Sequence, residues 1–302
     1  MANFRINKLV IFGVGLIGGS FALALREADA VKHVVGVGRG RDNLERAVQL
    51  KVIDEIASDI KRAVSGADCV LLATPVGQMA ELMRTIAPHL DARAVITDAG
   101  STKQDVVQLA RESFGDCLPR FVPAHPIAGA ETSGVGAARA DLYRGKNVVI
   151  TPLAETDALA VDTVCAAWRA CGAKLGVMKA DEHDRVFAAV SHLPHVLAYA
   201  LVNMLAQRWN ADQLFDFAAS GFRDFTRIAG SSPEMWRDIC VANREALVRE
   251  LRHYQGEIER VTAMIEGGQA DRLQAVFAGA REARSLWLAG QGGQNGSAES
   301  SS

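Results

Sequence analysis

The chain has no CxxC pair, and its five cysteines (Cys69, Cys117, Cys165, Cys171, Cys240) are odd in number and scattered. That pattern speaks against a disulfide framework and for reduced, mostly buried thiols in a cytoplasm, with Cys69 in a predicted core strand. It also has no long basic run, and its formal net charge is −2. Nucleic acid and an anionic membrane surface are therefore not the expected partners. No apolar stretch of ~20 residues able to span a bilayer is expected from the sequence. Residues 9–25 are apolar but interrupted by glycines, with no basic segment before them, which argues against an export signal. There is no internal repeat. What remains is a soluble chain of 302 residues, 49% apolar and 23% charged, long enough for about two domains.

The most informative segment is near the start. Lys8-Leu9-Val10-Ile11-Phe12 runs into Gly13-Val14-Gly15-Leu16-Ile17-Gly18 and on into an apolar helix-forming run. Strand, tight turn and helix in that order are what a dinucleotide-binding fingerprint requires. Gly13 allows the turn, Gly15 lets backbone approach a pyrophosphate, and Gly18 lets the helix lie close on the strand. The unpaired N–H groups of the helix start, around Leu16 and Ile17, face the anion. The competing reading is a glycine turn that only packs a helix on a sheet.

Apolar strands at 34–37, 68–73, 94–98, 148–151 and 174–177 alternate with helical patterns, which predicts a parallel, doubly wound sheet over residues 1–179. Thr74 and Pro75, just past one of these strands, are assigned to the cofactor side. From 181 onward only helical patterns occur, at 186–208, 212–218, 235–266 and 269–287. Residues 180–289 thus form a helical domain. Leu247, Leu251, Tyr254, Ile258, Val261 and Ile265 line one helix face, either as a core stripe or as a subunit seam. Residues 290–302, rich in Gly, Gln and Ser, read as a disordered tail.

An acid is missing from the end of the second strand, where it would bind adenosine ribose hydroxyls and repel a 2′-phosphate. The sequence there is Gly36-Val37-Gly38-Arg39-Gly40-Arg41. Gly38 takes the usual acidic position and two guanidinium groups follow, which suits a phosphate. The favoured cofactor is NADP, with NAD as the alternative; Arg39 is the main contact and Arg41 assists. Otherwise both arginines are solvated loop charges.

Three further segments carry chemistry. Ser101, after a predicted strand, is either a helix N-cap or a substrate contact. His125, held between Pro123 and Pro126 in an extended loop, is a poor core residue and a good candidate acid or base with a pKa near 6.5. His192 and His195 flank Pro194, which should kink its helix. These two histidines lack a third nearby ligand, so no metal site is expected. Arg223 and Arg227 form either a solvated face or an anion site.

Together these segments resemble the prephenate and arogenate dehydrogenase family, also called cyclohexadienyl dehydrogenases. The resemblance runs in order over residues 6–288 through GVGLIGGS, GSTK, HPIAGAE, SHLPH, DFTRIA and SSPEMW. It implies a Rossmann domain followed by an all-helical dimerisation domain, hence a homodimer. It implies that His125 takes the proton of the substrate's ring 4-hydroxyl as hydride leaves C4, and that Ser101 orients that hydroxyl. His195, with His192 nearby, then lines the substrate's side-chain end, Arg227 pairs with a carboxylate, and Trp236 lies near the site. Glu131 is either a contact favouring the amine of arogenate or a surface acid. Prephenate is the first substrate implied and arogenate the second. A β-hydroxyacid dehydrogenase would place a lysine in the helices, where this chain offers histidines and arginine. A non-catalytic nucleotide sensor would leave His125 and Arg227 unexplained.

Overall fold

The computed structural model describes residues 4–130 and 132–295. Packing divides it into two compact units, Met1–Leu247 and Val248–Ser302. Six strands of the first unit form one all-parallel sheet: β1 (Ile6–Phe12), β2 (Val31–Val37), β3 (Glu55–Ile56), β4 (Cys69–Leu72), β5 (Val95–Asp98) and β6 (Phe121–Val122). Their order is β3-β2-β1-β4-β5-β6. Period-two alternation sends Leu9 and Ile11 of β1 into one hydrophobic core and Val10 and Phe12 into the other, so both faces of the sheet are covered. The strand order reverses between β1 and β4. In open α/β sheets such a reversal leaves a crevice beyond the strands' carboxyl ends, where ligands bind.

The chain leaves this sheet at Pro123, which has no N–H for the ladder. Ala124 restarts the strand, and its N–H goes to the Asp98 Oδ1 carboxylate at 3.1 Å. A second sheet follows from β7 (Ala124–Pro126), β8 (Asn147–Ile150) and β9 (Lys174–Val177), with β7 and β8 antiparallel and β8 and β9 parallel. Two sequence expectations are thereby corrected. The strands at 148–151 and 174–177 lie outside the doubly wound sheet, and His125 sits on a strand rather than in a loop.

Strands give way to helices near residue 179, as the sequence indicates. The division by packing falls later, because Trp236 and Ile239 share a hydrophobic core with Val70 and Leu72. The expected helix at 235–266 is two helices, Pro233–Ala242 and Arg244–Glu266, broken at Asn243. The asparagine is a buried polar residue whose side chain is used elsewhere. The last helix, Ala270–Asn295, runs through 290–295, where the sequence suggests a disordered tail; residues 296–302 lie outside the described residues.

A kink at Pro194 takes the form of a π-helical turn, Ala188–His192, between helices Ala180–Phe187 and Leu193–Ala206. The wider loop relieves the clash that the proline ring would make in a regular helix. By length and composition this run, Ala180–Ala206, is apolar enough to cross a membrane, contrary to the sequence expectation. It also carries His183, Asp184 and His192, all buried in the first unit. Cys69, Cys165 and Cys171 are buried thiols, and burial pushes that of Cys69 up to about 12.

Candidate active site

The glycine turn opens into a cleft of about 810 Å³ lined by Gly13, Gly15, Gly38, Arg39, Thr74 and Pro75, among others. Gly13 has φ +93°, and a Cβ there would meet the Ala73 carbonyl oxygen at 2.5 Å, so only glycine fits. A Cβ on Gly18 would strike the Gly13 carbonyl and Ile11, which shows how closely the helix Leu16–Glu27 lies on β1. At Gly15 no heavy atom lies within 4 Å of the Cβ position. That open backbone leads to a free helix N-terminus, which suits a pyrophosphate. The Thr74 hydroxyl, at the cleft wall, is buried with no hydrogen-bond partner among the described residues. The residues present therefore fit a dinucleotide.

Arg39 is exposed and lines the cleft. Arg41 does not line it. Its guanidinium pairs instead with Glu45 at 2.8 Å, four residues on along the same helix. Leu16 and Ile17 are likewise absent from the lining, and the Ile17 carbonyl accepts the Tyr143 hydroxyl at 2.6 Å.

His125 lies opposite Val149 in the register of β7 and β8. Its neighbours Ala124 and Pro126 are buried, and strand alternation sends its ring to the other face, against the helix Ala180–Phe187. There Nδ1 is 2.8 Å from His183 Nε2, and the ring packs edge-on against Phe187. His183 Nδ1 is in turn 2.8 Å from Asp184 Oδ1. Burial, then the neighbouring His183, Lys103 and His192, hold His125 well below the ordinary imidazole value of 6.5. This corrects the expectation of a pKa near 6.5.

Asp184 also accepts the backbone N–H groups of Lys103 and Gln104, at 2.8 and 2.9 Å, which open the helix Gln104–Ser113. Asp184 therefore does the capping, and Ser101 is not the N-cap. Ser101 sits half-buried in the loop after β5. The Lys103 ammonium is fully buried and meets Asp98 at 2.5 Å, and Asp98 also accepts Gly100 N–H. The ion pair holds Asp98, whose Oδ1 accepts Ala124 N–H and so ties the end of β5 to the start of the strand bearing His125.

The remaining expected residues gather on the helices. His195 stacks on the Trp236 indole, with centroids 3.6 Å apart and planes inclined by 20°. Its Nδ1–H donates to the Ser191 carbonyl at 2.9 Å, leaving Nε2 as an acceptor. Burial lowers its pKa, and Arg227 nearby lowers it further. His192 is 1% exposed and lies edge-on to the same indole, centroids 6.0 Å apart. The Asn243 amide donates to His192 Nδ1 at 3.1 Å and to the Asp184 carbonyl at 2.8 Å. Its Nε2 is therefore the protonated nitrogen, a buried donor with no partner among the described residues. Burial brings the His192 pKa down to about 4. Glu131 lies outside the described residues. Among these, no group of three His, Cys, Asp or Glu is placed to hold a metal.

The structure thus brings His125, His192, His195, Arg227 and Trp236 into one linked cluster and adds His183, Asp184, Lys103 and Asn243. These additions went unread in the sequence. The one available signal was the adjacent His183-Asp184 pair, which looks like any solvated polar pair on a helix.

Residues 21–177 match the prephenate dehydrogenase nucleotide-binding domain, and residues 179–279 match the prephenate dehydrogenase dimerization domain. The chain belongs to the prephenate dehydrogenase family. Against the prephenate dehydrogenase of Bacillus subtilis it is 36% identical over 284 residues, covering 93% of this chain and 76% of that one. Against the cyclohexadienyl dehydrogenase of Zymomonas mobilis it is 34% identical over 280 residues, covering 92% and 95%. The crystal structure of prephenate dehydrogenase from A. aeolicus, in complex with hydroxyphenyl propionate and NAD+, superposes with a TM-score of 0.88. It is 34% identical and covers 94% of this chain and 99% of that one. The glycine turn precedes the span matched to the family's nucleotide-binding domain, so its assignment rests on the cleft geometry.

Proposed function

We propose that the chain catalyses the oxidative decarboxylation of prephenate to 4-hydroxyphenylpyruvate, using a nicotinamide dinucleotide. The observation that carries this is a neutral, partly buried imidazole, His125, in a family member whose neighbouring helices present His192, His195, Arg227 and Trp236. His125 takes the ring hydroxyl proton, which releases the electron pair that expels hydride from C4. Nicotinamide supplies the hydride acceptor when bound. The ring carboxylate leaves as CO2, and aromatisation makes the step effectively irreversible. Ser101 orients the hydroxyl, Arg227 holds a carboxylate, and the His192 Nε2 donor, with His195 beside it, receives the side-chain end. Positioning by these residues converts an encounter into an effectively intramolecular reaction. The assay is direct: purified protein is mixed with prephenate or arogenate and with NADP or NAD, and reduced-cofactor absorbance is followed. Turnover of prephenate is expected; no turnover with any of the four pairs removes the assignment. Arogenate is the second candidate substrate, supported by the chain's 28% identity to the arogenate dehydrogenase of Synechocystis.

We further propose NADP over NAD. Gly38 presents no carboxylate to repel a 2′-phosphate, and Arg39 stands at the cleft wall. A Cβ on Gly38 meets only Leu44 side-chain atoms, at 3.7 Å or more, so an acid fits there without strain. Gly38→Asp is expected to lower the NADP-to-NAD ratio of kcat/KM by about 10-fold or more, the effect of one like-charge contact of ~1.4 kcal/mol. An unchanged ratio, or a wild-type enzyme preferring NAD, defeats this choice.

A homodimer is the proposed assembly. Tyr254, Ile258 and Ile265 on the helix Arg244–Glu266 are 38%, 48% and 61% exposed, an apolar stripe that a second copy would cover. Sedimentation should give twice the chain mass of 32.3 kDa; a monomer at micromolar concentration contradicts it.

A further inference from the structure

We propose that His183 and Asp184 are positioning residues for the reaction, which act by fixing the tautomer of His125 so that its Nε2 is always the unprotonated nitrogen. The inference rests on the proposed role of His125 as base and goes beyond it by naming what keeps that base competent.

Asp184 receives three N–H groups: Lys103 N–H and His183 at Oδ1, and Gln104 N–H at Oδ2. Facing a carboxylate so used, His183 must carry its proton on Nδ1. Burial lowers the His183 pKa, so the ring is neutral and Nε2 holds a lone pair. Among the described residues, the group opposite that lone pair is His125 Nδ1, at 2.8 Å. His125 must then donate from Nδ1, which leaves its own Nε2 unprotonated. A free imidazole favours the opposite form, with hydrogen on Nε2. The two-step relay from Asp184 reverses that preference.

The same arrangement serves the charged state. When Nε2 takes the substrate proton, His125 becomes an imidazolium whose Nδ1–H already points at the His183 lone pair. The Asp184 carboxylate stands one ring farther on. No group must reorganise as the charge develops, which is the condition for electrostatic help in a low-dielectric site. The helix start at Lys103 and Gln104 holds Asp184, and Asn243 holds its carbonyl, so the relay is anchored at both ends.

The test uses the full-length protein labelled with 15N-histidine and no substrate, so that it reads the tautomer independently of the reaction. His125 is identified by its missing signal in His125→Asn. In the wild type its Nδ1 is expected to give a protonated, pyrrole-type shift and its Nε2 a pyridine-type shift. The chosen perturbation is His183→Asn, whose amide can still donate to Asp184 but offers nothing at the Nε2 position. It should move His125 toward the Nε2–H form and lower kcat by on the order of 10²-fold, within the general-base range. The KM for prephenate should stay within about twofold, because the contacts at His195 and Arg227 are untouched. An Nε2–H form in wild-type His125 overturns the inference and leaves the base assignment standing. Wild-type kcat in a folded His183→Asn also overturns it. If His125→Asn turns over normally, the reaction assignment falls, a result separable from the tautomer measurement.

Discussion

His125→Asn lowers kcat by about 10²-fold or more while the KM for prephenate changes little, since a positioned general base contributes about 10²–10⁴-fold. The asparagine amide nitrogen occupies nearly the place of imidazole Nδ1 and can keep the contact to His183, so the local fold survives. The Nε2 lone pair is what disappears, and no other group on β7 replaces it. Because the His125 pKa lies well below 6.5, wild-type kcat/KM should stay level as pH falls from about 8 to 6.5. The acidic limb belongs below that. Steady-state kinetics with prephenate decide the point: turnover in the variant within threefold of wild type removes His125 from the chemistry.

The second large effect is loss of stability in acid. His183 and His192 are 0% and 1% exposed, and burial lowers the pKa of both. In the unfolded chain each titrates near 6.5. Below that value the unfolded state binds protons that the folded state refuses, so stability falls as pH falls. The loss ends only when the folded-state pKa values are passed, about 4 for His192. A group such as His192 contributes a limiting slope of about 1.4 kcal/mol per pH unit between its unfolded value and its folded value of about 4, and His183, His125 and His195 shift in the same direction. Against a typical total of about 5–15 kcal/mol, the folded state should be markedly less stable at pH 5.0 than at pH 7.5. Urea unfolding at pH 7.5 and pH 5.0 measures this; equal midpoints would refute it. His192→Phe, with one titrating group fewer, should show a shallower decline.

The four histidines behave as one feature because they share one location. The residues that gather them are far apart in the chain: 58 positions separate His125 from His183, and 51 separate His192 from Asn243. Local patterning reaches across a turn of helix or a hairpin and no farther. The glycine turn was readable because its three constraints, a left-handed φ, an open backbone and a close helix, fall within six residues. His125 stood out as a candidate because of its flanking prolines, although it lies on a strand between buried neighbours. His183 and Asp184 were not, since a polar pair at a helix start has the same local pattern on a surface or in a core. Asn243 was hidden for a related reason: an asparagine inside a periodic apolar pattern reads as an interruption tolerated by a helix. Here it ends one helix so that its amide can reach His192 and Asp184. The second sheet escaped because β8 and β9 are apolar runs like those of the first sheet, and only Pro123 marks the departure.

The sequence by itself determined the fold class, the nucleotide turn, the change from strands to helices near residue 179, and a set of candidate side chains drawn from ordered motifs. Each is a property of neighbours along the chain, where spacing of glycine, proline and apolar residues has direct steric consequences. Only the tertiary structure decided that Arg41 turns away to Glu45, that Asp184 rather than Ser101 caps the helix after β5, and which nitrogen of His125 is left bare. The last two depend on which donors meet which acceptors across 50 residues or more, and the first on whether a guanidinium takes a partner four residues along its own helix or faces the cleft; hydrogen-bond direction is fixed by partners in space, whatever their order along the chain.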